Sequence, residues 1–223
     1  SPGRRAGKRE RRRQRRSVKG INARVVGQIS LSKAEPEWME QIRLRSLRLF
    51  DKQPMAEWLA INMPDIDFQG IDDVLQSGDA QRDLAGNTAL LGSEAVGQEH
   101  RADLEEQGVL FCDMETAVRE YPRLVQEYFG TIIAPGDDKF ADLNTSVWSG
   151  GSFVYVPPGV EVAMPLQSDI RPNSETGGQF QRTLIIADEG SKVRYIEGCS
   201  APVYTQDALR CAVVEIVVKP NAW

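Results

Sequence analysis

The chain has 223 residues, of which 41% are hydrophobic, and its formal net charge is −5. This length and composition allow one or two globular domains with buried cores, and no apolar run approaches the roughly 18 residues that a membrane-spanning helix needs. Three widely spaced cysteines and a single histidine argue against a disulfide framework and a self-contained zinc site, and they predict a cytoplasmic location.

The positive charge is concentrated at the N-terminus. Residues 1–16 contain nine Lys or Arg and one Glu, which gives +8, whereas the other 207 residues carry 18 basic and 31 acidic side chains, which gives −13. Because this segment lacks apolar periodicity, residues 1–17 are predicted to be a disordered basic tail. Counterion release would let residues 4–16 touch nucleic acid, but an extension without a specific role is the preferred interpretation, so nucleic acid is not an expected partner.

A helix-rich domain is predicted for residues 18–143. Its first element is a helix within "SKAEPEWMEQIRLRSLRLFDKQP", in which Pro36 suits the first turn and Pro54 ends the helix. A spacing of 100° per residue places five apolar side chains on one stripe and three arginines largely outside it. The apolar residues are Trp38, Met39, Ile42, Leu49 and Phe50, and the arginines are Arg43, Arg45 and Arg48.

Two further helices are predicted at Glu94–Gln107 and Met114–Phe129, with a short strand in "GVLFCD" between them. Cys112 in this strand is expected to be packed, and His100 is expected to be a solvated helix residue. Residues 65–93 are too weakly patterned for an assignment.

From Asn144 onward the sequence changes to short β-branched runs separated by Gly, Pro and Asp turns. Three segments align at an interval of 31 residues (190 − 159 = 31 and 221 − 190 = 31), with Gly159, Gly190 and Asn221 at their corners. A fixed period with such corners favours a β-solenoid for residues 144–223, with a double-sheet jelly roll as the alternative. The solenoid is predicted to end uncapped, so that a partner chain or further residues would cover its last strand.

Polar residues are concentrated in the second and third of these segments. Cys199 is the candidate nucleophile, because cations lower a thiol pKa, and either Arg171 or Arg182 could supply that charge. The alternative is a buried and inert thiol. The sequence contains none of the GxSxG, Walker A, GxGxxG or HExxH motifs, so enzyme activity is not predicted.

Several stretches closely resemble the SufB-type subunit of the SUF iron–sulfur cluster assembly machinery, and they resemble the SufD-type paralogue less. The resemblance covers residues 18–62 and 96–223. Its most specific stretches are "LNTSVWSGGSFVYVPPGV", "GQFQRTLIIADEG" and "YIEGCSAPVYTQDALRCAVVEIVVKP".

The resemblance implies an α+β chain with an N-terminal helical region followed by a right-handed parallel β-helix. It implies a scaffold rather than an enzyme, with Cys199 as the acceptor of persulfide sulfur and Arg171 and Asn173 along the interior route. Arg182 and Glu197 are the expected supporting residues. Cys199 is also a possible thiolate ligand for a cluster, and no other metal site is predicted.

The resemblance also implies partners and cargo. The β-helix would pair with a SufD-like subunit, an ABC-type ATPase would bind helices beyond residue 223, and sulfur would come from a cysteine desulfurase through a carrier. A transient iron–sulfur cluster would form only in the full complex, and flavin binding is left open. The alternative is a truncated or degenerate interaction module that binds a SufD-like partner without carrying sulfur.

The sequence departs from the family pattern at several positions. Glu161, Arg194 and Arg210 stand where histidines are common, and Cys211 stands where serine is usual. Cys211 is expected to be a small buried side chain, with replacement of a lost ligand as the alternative. Pro172 stands where an aliphatic residue is usual and removes one backbone donor. The segment 65–94 is shorter than its family equivalent, and the chain ends less than halfway through the family's length, so it is not expected to assemble a cluster by itself.

Overall fold

The structure of the protein is a computed structural model that describes residues 20–55, 65–71, 88–91, 94–95, 103–170, 178–199 and 209–223. The predicted basic tail of residues 1–17, His100, Arg171, Pro172 and Asn173 lie outside these ranges.

The described residues form helices and mixed β-sheets, which confirms the predicted α+β class. The helices are α1 (Ala23–Ser32), α2 (Glu37–Lys52), α3 (Met114–Glu120), α4 (Pro122–Tyr128) and α5 (Lys139–Val147). The strands are β1 (Thr88–Leu91), β2 (Glu94–Ala95), β3 (Leu110–Asp113), β4 (Ser152–Val156), β5 (Leu166–Ile170), β6 (Gln179–Ala187), β7 (Tyr195–Cys199) and β8 (Arg210–Val218).

The first two helices begin at recognisable signals. The predicted helix is confirmed as α2, which starts directly after Pro36 and carries Glu37 and Glu40 in its first turn, where the helix dipole favours acidic groups. It is not the first folded element, however, because α1 precedes it. The Asn22 side chain caps α1 by accepting a hydrogen bond of 3.1 Å from the backbone N–H of Val25.

The predictions for residues 94–129 need two corrections. Instead of one helix at Met114–Phe129 there are two, α3 and α4, because Pro122 starts a new helix after Tyr121 leaves helical geometry (φ −122°, ψ 47°). In the predicted helix Glu94–Gln107, residues 94–95 form strand β2 and residues 103–106 are helical. The predicted strand before Met114 is confirmed as β3.

The strands form two four-stranded sheets, with the orders β2-β1-β5-β7 and β3-β4-β6-β8. The pairs β4–β6, β6–β8 and β5–β7 are parallel, which rules out the antiparallel jelly roll for these strands. The register confirms the 31-residue interval, because Val154 pairs with Ile185 and Ile185 pairs with Ile216.

All three predicted corners adopt the left-handed backbone conformation, with φ of 72° at Gly159, 67° at Gly190 and 61° at Asn221. Glycine and asparagine are the residues that tolerate this conformation best. The corners also stack by hydrogen bonding, since the N–H of Gly159 donates to the carbonyl of Glu189 at 2.8 Å and the N–H of Gly190 donates to that of Pro220 at 2.9 Å.

Strands β3, β4 and β6 of the β3-β4-β6-β8 sheet are covered on both faces, and the side chains of each strand alternate between these faces. One face packs against the helices through an apolar cluster that includes Met39, Trp148, Phe153 and Leu184. The other face packs against the second sheet through a cluster that includes Val154, Val156, Leu166 and Ile185. We call the first face the helix seam and the second face the interior.

Strand β8 ends this arrangement with an alternating pattern of burial. Val213 and Glu215 are buried on the helix seam, whereas Val214, Ile216 and Val218 are exposed by 41%, 54% and 56%. By register, the last three continue the interior face of β6.

Helix α5 runs across residues 143 and 144, where the predicted domain boundary lies, and that division stays a prediction. None of the helices in the described part of the chain is long and apolar enough to cross a membrane.

Candidate functional site

The predicted sulfur acceptor, Cys199, is the last residue of β7. In the parallel pair with β5, Cys199 lies opposite Ile170 and Glu197 lies opposite Ser168. Ile170 is the last residue of β5 and immediately precedes Arg171 in the sequence. The segment of the chain that contains Arg171 and Asn173 therefore begins next to the backbone position that pairs with Cys199.

Glu197 is hydrogen bonded to both sheets. Its Oε2 atom accepts a hydrogen bond of 2.9 Å from Oγ1 of Thr183 in β6 and one of 2.8 Å from the hydroxyl of Tyr195 in its own strand. Burial raises the pKa of Tyr195, and the adjacent Glu197 carboxylate raises it further, so the phenol stays protonated and able to donate.

Two serines connect this polar set to strands β4 and β5. Oγ of Ser152 donates to Oγ of Ser168 at 2.9 Å, and the backbone N–H of Ser152 donates to Oγ1 of Thr183 at 3.2 Å. We call Ser152, Ser168, Thr183, Tyr195 and Glu197 the interior polar cluster. Of these five residues only Glu197 was predicted from the sequence, because the other four are brought together by contacts between the two sheets.

Arg182, predicted to support Cys199, has its described contacts on the helix seam. Its side chain is fully buried, and its guanidinium pairs with Glu215 at 2.5 Å, donates to Oγ1 of Thr145 at 3.0 Å and stacks 4.5 Å from the centre of the Phe129 ring. The next residue, Thr183, bonds to Glu197 in the interior. A role for Arg182 toward Cys199 stays a prediction, and its contacts give it a packing role between β6, β8 and the helices.

The Glu215 carboxylate also fixes the loop after α4. It accepts hydrogen bonds from the backbone N–H groups of Gly130, Ile132 and Ile133 at 3.0 to 3.1 Å. These bonds and the Arg182 pair satisfy both carboxylate oxygens in a site from which solvent is excluded.

The "WSGG" part of the quoted motif also has a packing role. The Arg43 guanidinium lies 4.4 Å from the centre of the Trp148 ring, and Ser149 accepts a hydrogen bond of 2.7 Å from Nζ of Lys33. Gly151 has φ of 111°, and a Cβ atom there would lie 2.0 Å from the carbonyl oxygen of Arg182. Only glycine fits this approach of two backbones. The motif therefore joins the helices to strand β4 of the sheet.

Arg43 corrects the predicted pattern of α2. It was expected to lie largely outside the apolar stripe, yet it is fully buried. The Glu35 carboxylate accepts hydrogen bonds of 2.8 and 2.6 Å from its guanidinium, so the buried charge is paired. The hydrophobic pattern could not reveal this position, because the partner comes from outside the helix.

Three of the departures from the family pattern have structural explanations. Glu161 pairs with Lys192, 31 residues further along, at 3.2 Å, and Arg194 donates to the carbonyl of Ala163 at 3.2 Å. The Cys211 thiol donates to the carbonyl of Phe140 at 3.4 Å, and burial raises its pKa to about 11. Glu161 and Arg194 therefore make contacts between successive units, and Cys211 is a packed thiol on the helix seam.

A separate cavity of about 220 Å³ lies at the opposite end of β5 from Ile170. Its lining includes Leu104, Met164 and Leu166, with the carboxylates of Asp103 and Glu161 among the polar groups. Because Ile170 follows Leu166 by four positions along the strand, the cavity is about 13 Å from the position opposite Cys199. Over the described ranges, no three His, Cys, Asp or Glu residues are grouped so that they could hold a metal ion.

Comparison with known proteins identifies the family. Residues 85–168 match the family model of the SufBD protein N-terminal region, and residues 170–223 match that of the SUF system FeS cluster assembly SufBD core domain. The chain belongs to the SufBD family. The core-domain match contains every predicted site residue of this SufBD chain, from Arg171 to Cys199.

Curated relatives carry the name iron-sulfur cluster assembly SufBD family protein. The one from Staphylococcus haemolyticus is 43% identical over 231 aligned positions, which cover 93% of this chain and 50% of the relative. The one from Mycobacterium tuberculosis H37Rv is 47% identical over 207 positions, which cover 81% of this chain and 24% of the relative. The chain thus spans about half the length of the staphylococcal SufBD protein and about a quarter of the mycobacterial one.

Proposed function

We propose that this SufBD chain is a scaffold component of iron–sulfur cluster assembly that accepts persulfide sulfur at Cys199 and is not itself an enzyme. The observation that carries the proposal is the place of Cys199. It ends β7 opposite Ile170, the residue that precedes Arg171 in the sequence, and it follows Glu197 of the interior polar cluster by two residues. Family membership and the names of the relatives support the pathway.

The proposal includes a right-handed parallel β-helix for residues 144–223. Its support is the parallel pairing of β4 with β6 and of β6 with β8, together with the stacked corners at a constant 31-residue interval. Such a coil keeps the side chains of successive strands in register along one interior, so polar groups can follow one another toward a reactive thiol.

The proposed reaction is a sulfur transfer without net oxidation or reduction. The Cys199 thiol loses its proton to solvent, and the thiolate attacks the terminal sulfur of a donor persulfide. The S–S bond of the donor breaks, a new S–S bond forms at Cys199, and the donor leaves as a thiolate. A guanidinium near Cys199 would favour the thiolate, and this is the role proposed for Arg171, with Asn173 as a polar residue on the onward route.

The proposed partners follow from the same interpretation. A cysteine desulfurase and its carrier would supply sulfur, a SufD-like subunit would pair through the β-helix, and an ABC-type ATPase would join the assembled complex in the cytoplasm. A nascent iron–sulfur cluster would be cargo, and Cys199 is the thiolate of this chain that could contact it.

The test is incubation of the protein with a cysteine desulfurase, its carrier and cysteine, followed by mapping of persulfide by mass spectrometry. Persulfide is expected on Cys199 and not on Cys112 or Cys211, because Cys211 is packed with a raised pKa and Cys112 lies in β3 against the helix seam. A Cys199→Ser variant should lose the label. Label confined to other cysteines would overturn the proposal.

One observation favours a second function, an interaction module that carries no sulfur. The exposed apolar residues of β8 and the 63% exposed Trp223 form a surface suited to pairing with another subunit. A protein that forms a stable complex with a SufD-like subunit yet acquires no persulfide on Cys199 would support this alternative.

A further inference from the structure

Strand β7 carries Cys199 as its last residue and pairs along its length with β5. Within the described residues β7 is an edge strand, paired only with β5. Ile196 points away from the interior and is 49% exposed, and Gly198 contributes no side chain. Among the described side chains of β7, those of Tyr195 and Glu197 contact the opposite sheet.

These two residues contact the opposite sheet in different ways. The Tyr195 ring packs edge-on against Phe111 of β3, with centroids 6.4 Å apart. Glu197 receives its hydrogen bond of 2.9 Å from Thr183, and its other donor is the hydroxyl of Tyr195. Thr183 itself is almost fully buried and lies in β6, which is paired on both sides, so Glu197 is tied to an inner strand of the sheet.

We propose that Thr183, Glu197 and Tyr195 form a clamp between the two sheets that positions the Cys199 end of β7 for sulfur acceptance. Glu197 is then a positioning residue, and its two hydroxyl donors hold it. This inference rests on the proposed function, because it assigns a purpose to the clamp only if Cys199 accepts sulfur. Sulfur transfer requires the attacking sulfur, the attacked sulfur and the leaving sulfur to lie in line. A misplacement of about 1 Å can lower the rate of such a reaction by about 100-fold.

The test compares two substitutions of one residue. Thr183→Val keeps the shape of the side chain and removes the hydroxyl, whereas Thr183→Ser keeps the hydroxyl. With glutathione persulfide as the donor, the saturating rate of persulfide formation on Cys199 is expected to fall about tenfold in Thr183→Val. The donor concentration at half-saturation should stay unchanged, and Thr183→Ser should stay within about twofold of the unaltered protein.

The matched control is Thr145→Val, which removes an equally buried threonine hydroxyl on the helix seam, where it accepts from Arg182. It should lower thermal stability without slowing Cys199. A second measurement is a double-mutant cycle with Glu197→Ala. The double variant Thr183→Val with Glu197→Ala should be no slower than the slower single variant, because both changes release the same clamp.

The proposal is overturned if Thr183→Val reacts as fast as the unaltered protein. It is also overturned if Thr183→Ser is as slow as Thr183→Val, since the methyl group and not the hydrogen bond would then matter. Alkylation of Cys199 by iodoacetamide on the same variants separates the two proposals. If the unaltered protein acquires no persulfide, but alkylation changes in Thr183→Val and returns in Thr183→Ser, the clamp stands and the proposed function fails.

Discussion

Arg182 and Thr183 are neighbours in β6, yet they belong to two different polar regions. Arg182 reaches the helix seam, where its charge, the Glu215 carboxylate and the loop after α4 satisfy one another away from solvent. Thr183 reaches the interior, where Glu197 accepts its hydrogen bond while remaining an exposed residue. Both carboxylate oxygens of the buried Glu215 are already bonded within the chain, whereas Glu197 is exposed, so the interior and not the seam is the place to look for chemistry.

The helix seam contains three ion pairs with almost no exposure. Lys33 pairs with Glu115, Arg43 with Glu35, and Arg182 with Glu215, and each side chain is exposed by 9% or less. Burying a charge pair adds little net stability, but removing one partner leaves an uncompensated charge in a dry site. The seam and the interior should therefore respond in opposite ways to substitution, one through stability and the other through reactivity.

The largest effect is expected from Glu215→Ala. The free energy of unfolding should fall by about 3 to 5 kcal/mol, because the buried Arg182 guanidinium and three backbone N–H groups lose their acceptor. Urea denaturation of the unaltered and substituted proteins would measure this change. The matched control is Glu161→Ala, in which the lost partner, Lys192, is 40% exposed, and its cost should be about 1 kcal/mol or less. Equal costs at the two sites would contradict the distinction between seam and surface.

The next effect is expected from alanine at two glycines with positive φ. Gly151→Ala should cost at least about 2 kcal/mol, because its Cβ would meet the Arg182 backbone in addition to the strain of φ 111°. Gly159→Ala has no atom within 4 Å of the new Cβ and should cost only about 1 to 2 kcal/mol of backbone strain. Thermal unfolding of both variants would rank them, and the reverse order would show that the seam tolerates displacement of β4.

The smallest effect concerns Cys211. With its pKa raised to about 11 by burial, this thiol should react with iodoacetamide at pH 8 about 100-fold more slowly than free cysteine. A thiol with a raised folded pKa binds its proton more tightly in the folded state. Its contribution to stability is therefore complete below the unfolded pKa of about 8.5 and is lost as the pH rises toward 11. Site-resolved alkylation across pH 7 to 11 would measure the profile, and a midpoint near 8.5 would contradict a packed Cys211.

Local patterns in the sequence predicted much of the β region. The corner residues Gly159, Gly190 and Asn221 revealed the strand register, because a left-handed turn restricts the choice of residue so strongly. The same kind of local signal could have revealed two missed helices, since Asn22 caps α1 and Asp138 caps α5 through its own side chain. The residue that caps each helix therefore marks its start in the sequence.

Long-range contacts could not be predicted in the same way. The burial of Arg43 depends on Glu35 and Trp148, and that of Arg182 depends on Glu215, so hydrophobic periodicity misplaces such residues. At the site, Glu197 was predicted from composition, whereas its donors Thr183 and Tyr195 became apparent only when the two sheets were brought together. The roles predicted for Cys199, Arg171 and Asn173 stay predictions.

The constant register also limits how the length of this protein can change. One residue inserted in β6 ahead of Arg182 would break the 31-residue register and would exchange the two faces of the strand beyond it. The guanidinium of Arg182 would then point into the interior, and Thr183 would point at the helices. Length variation in relatives of this chain should therefore be found in connections between strands, such as residues 200–208, rather than within the strands themselves.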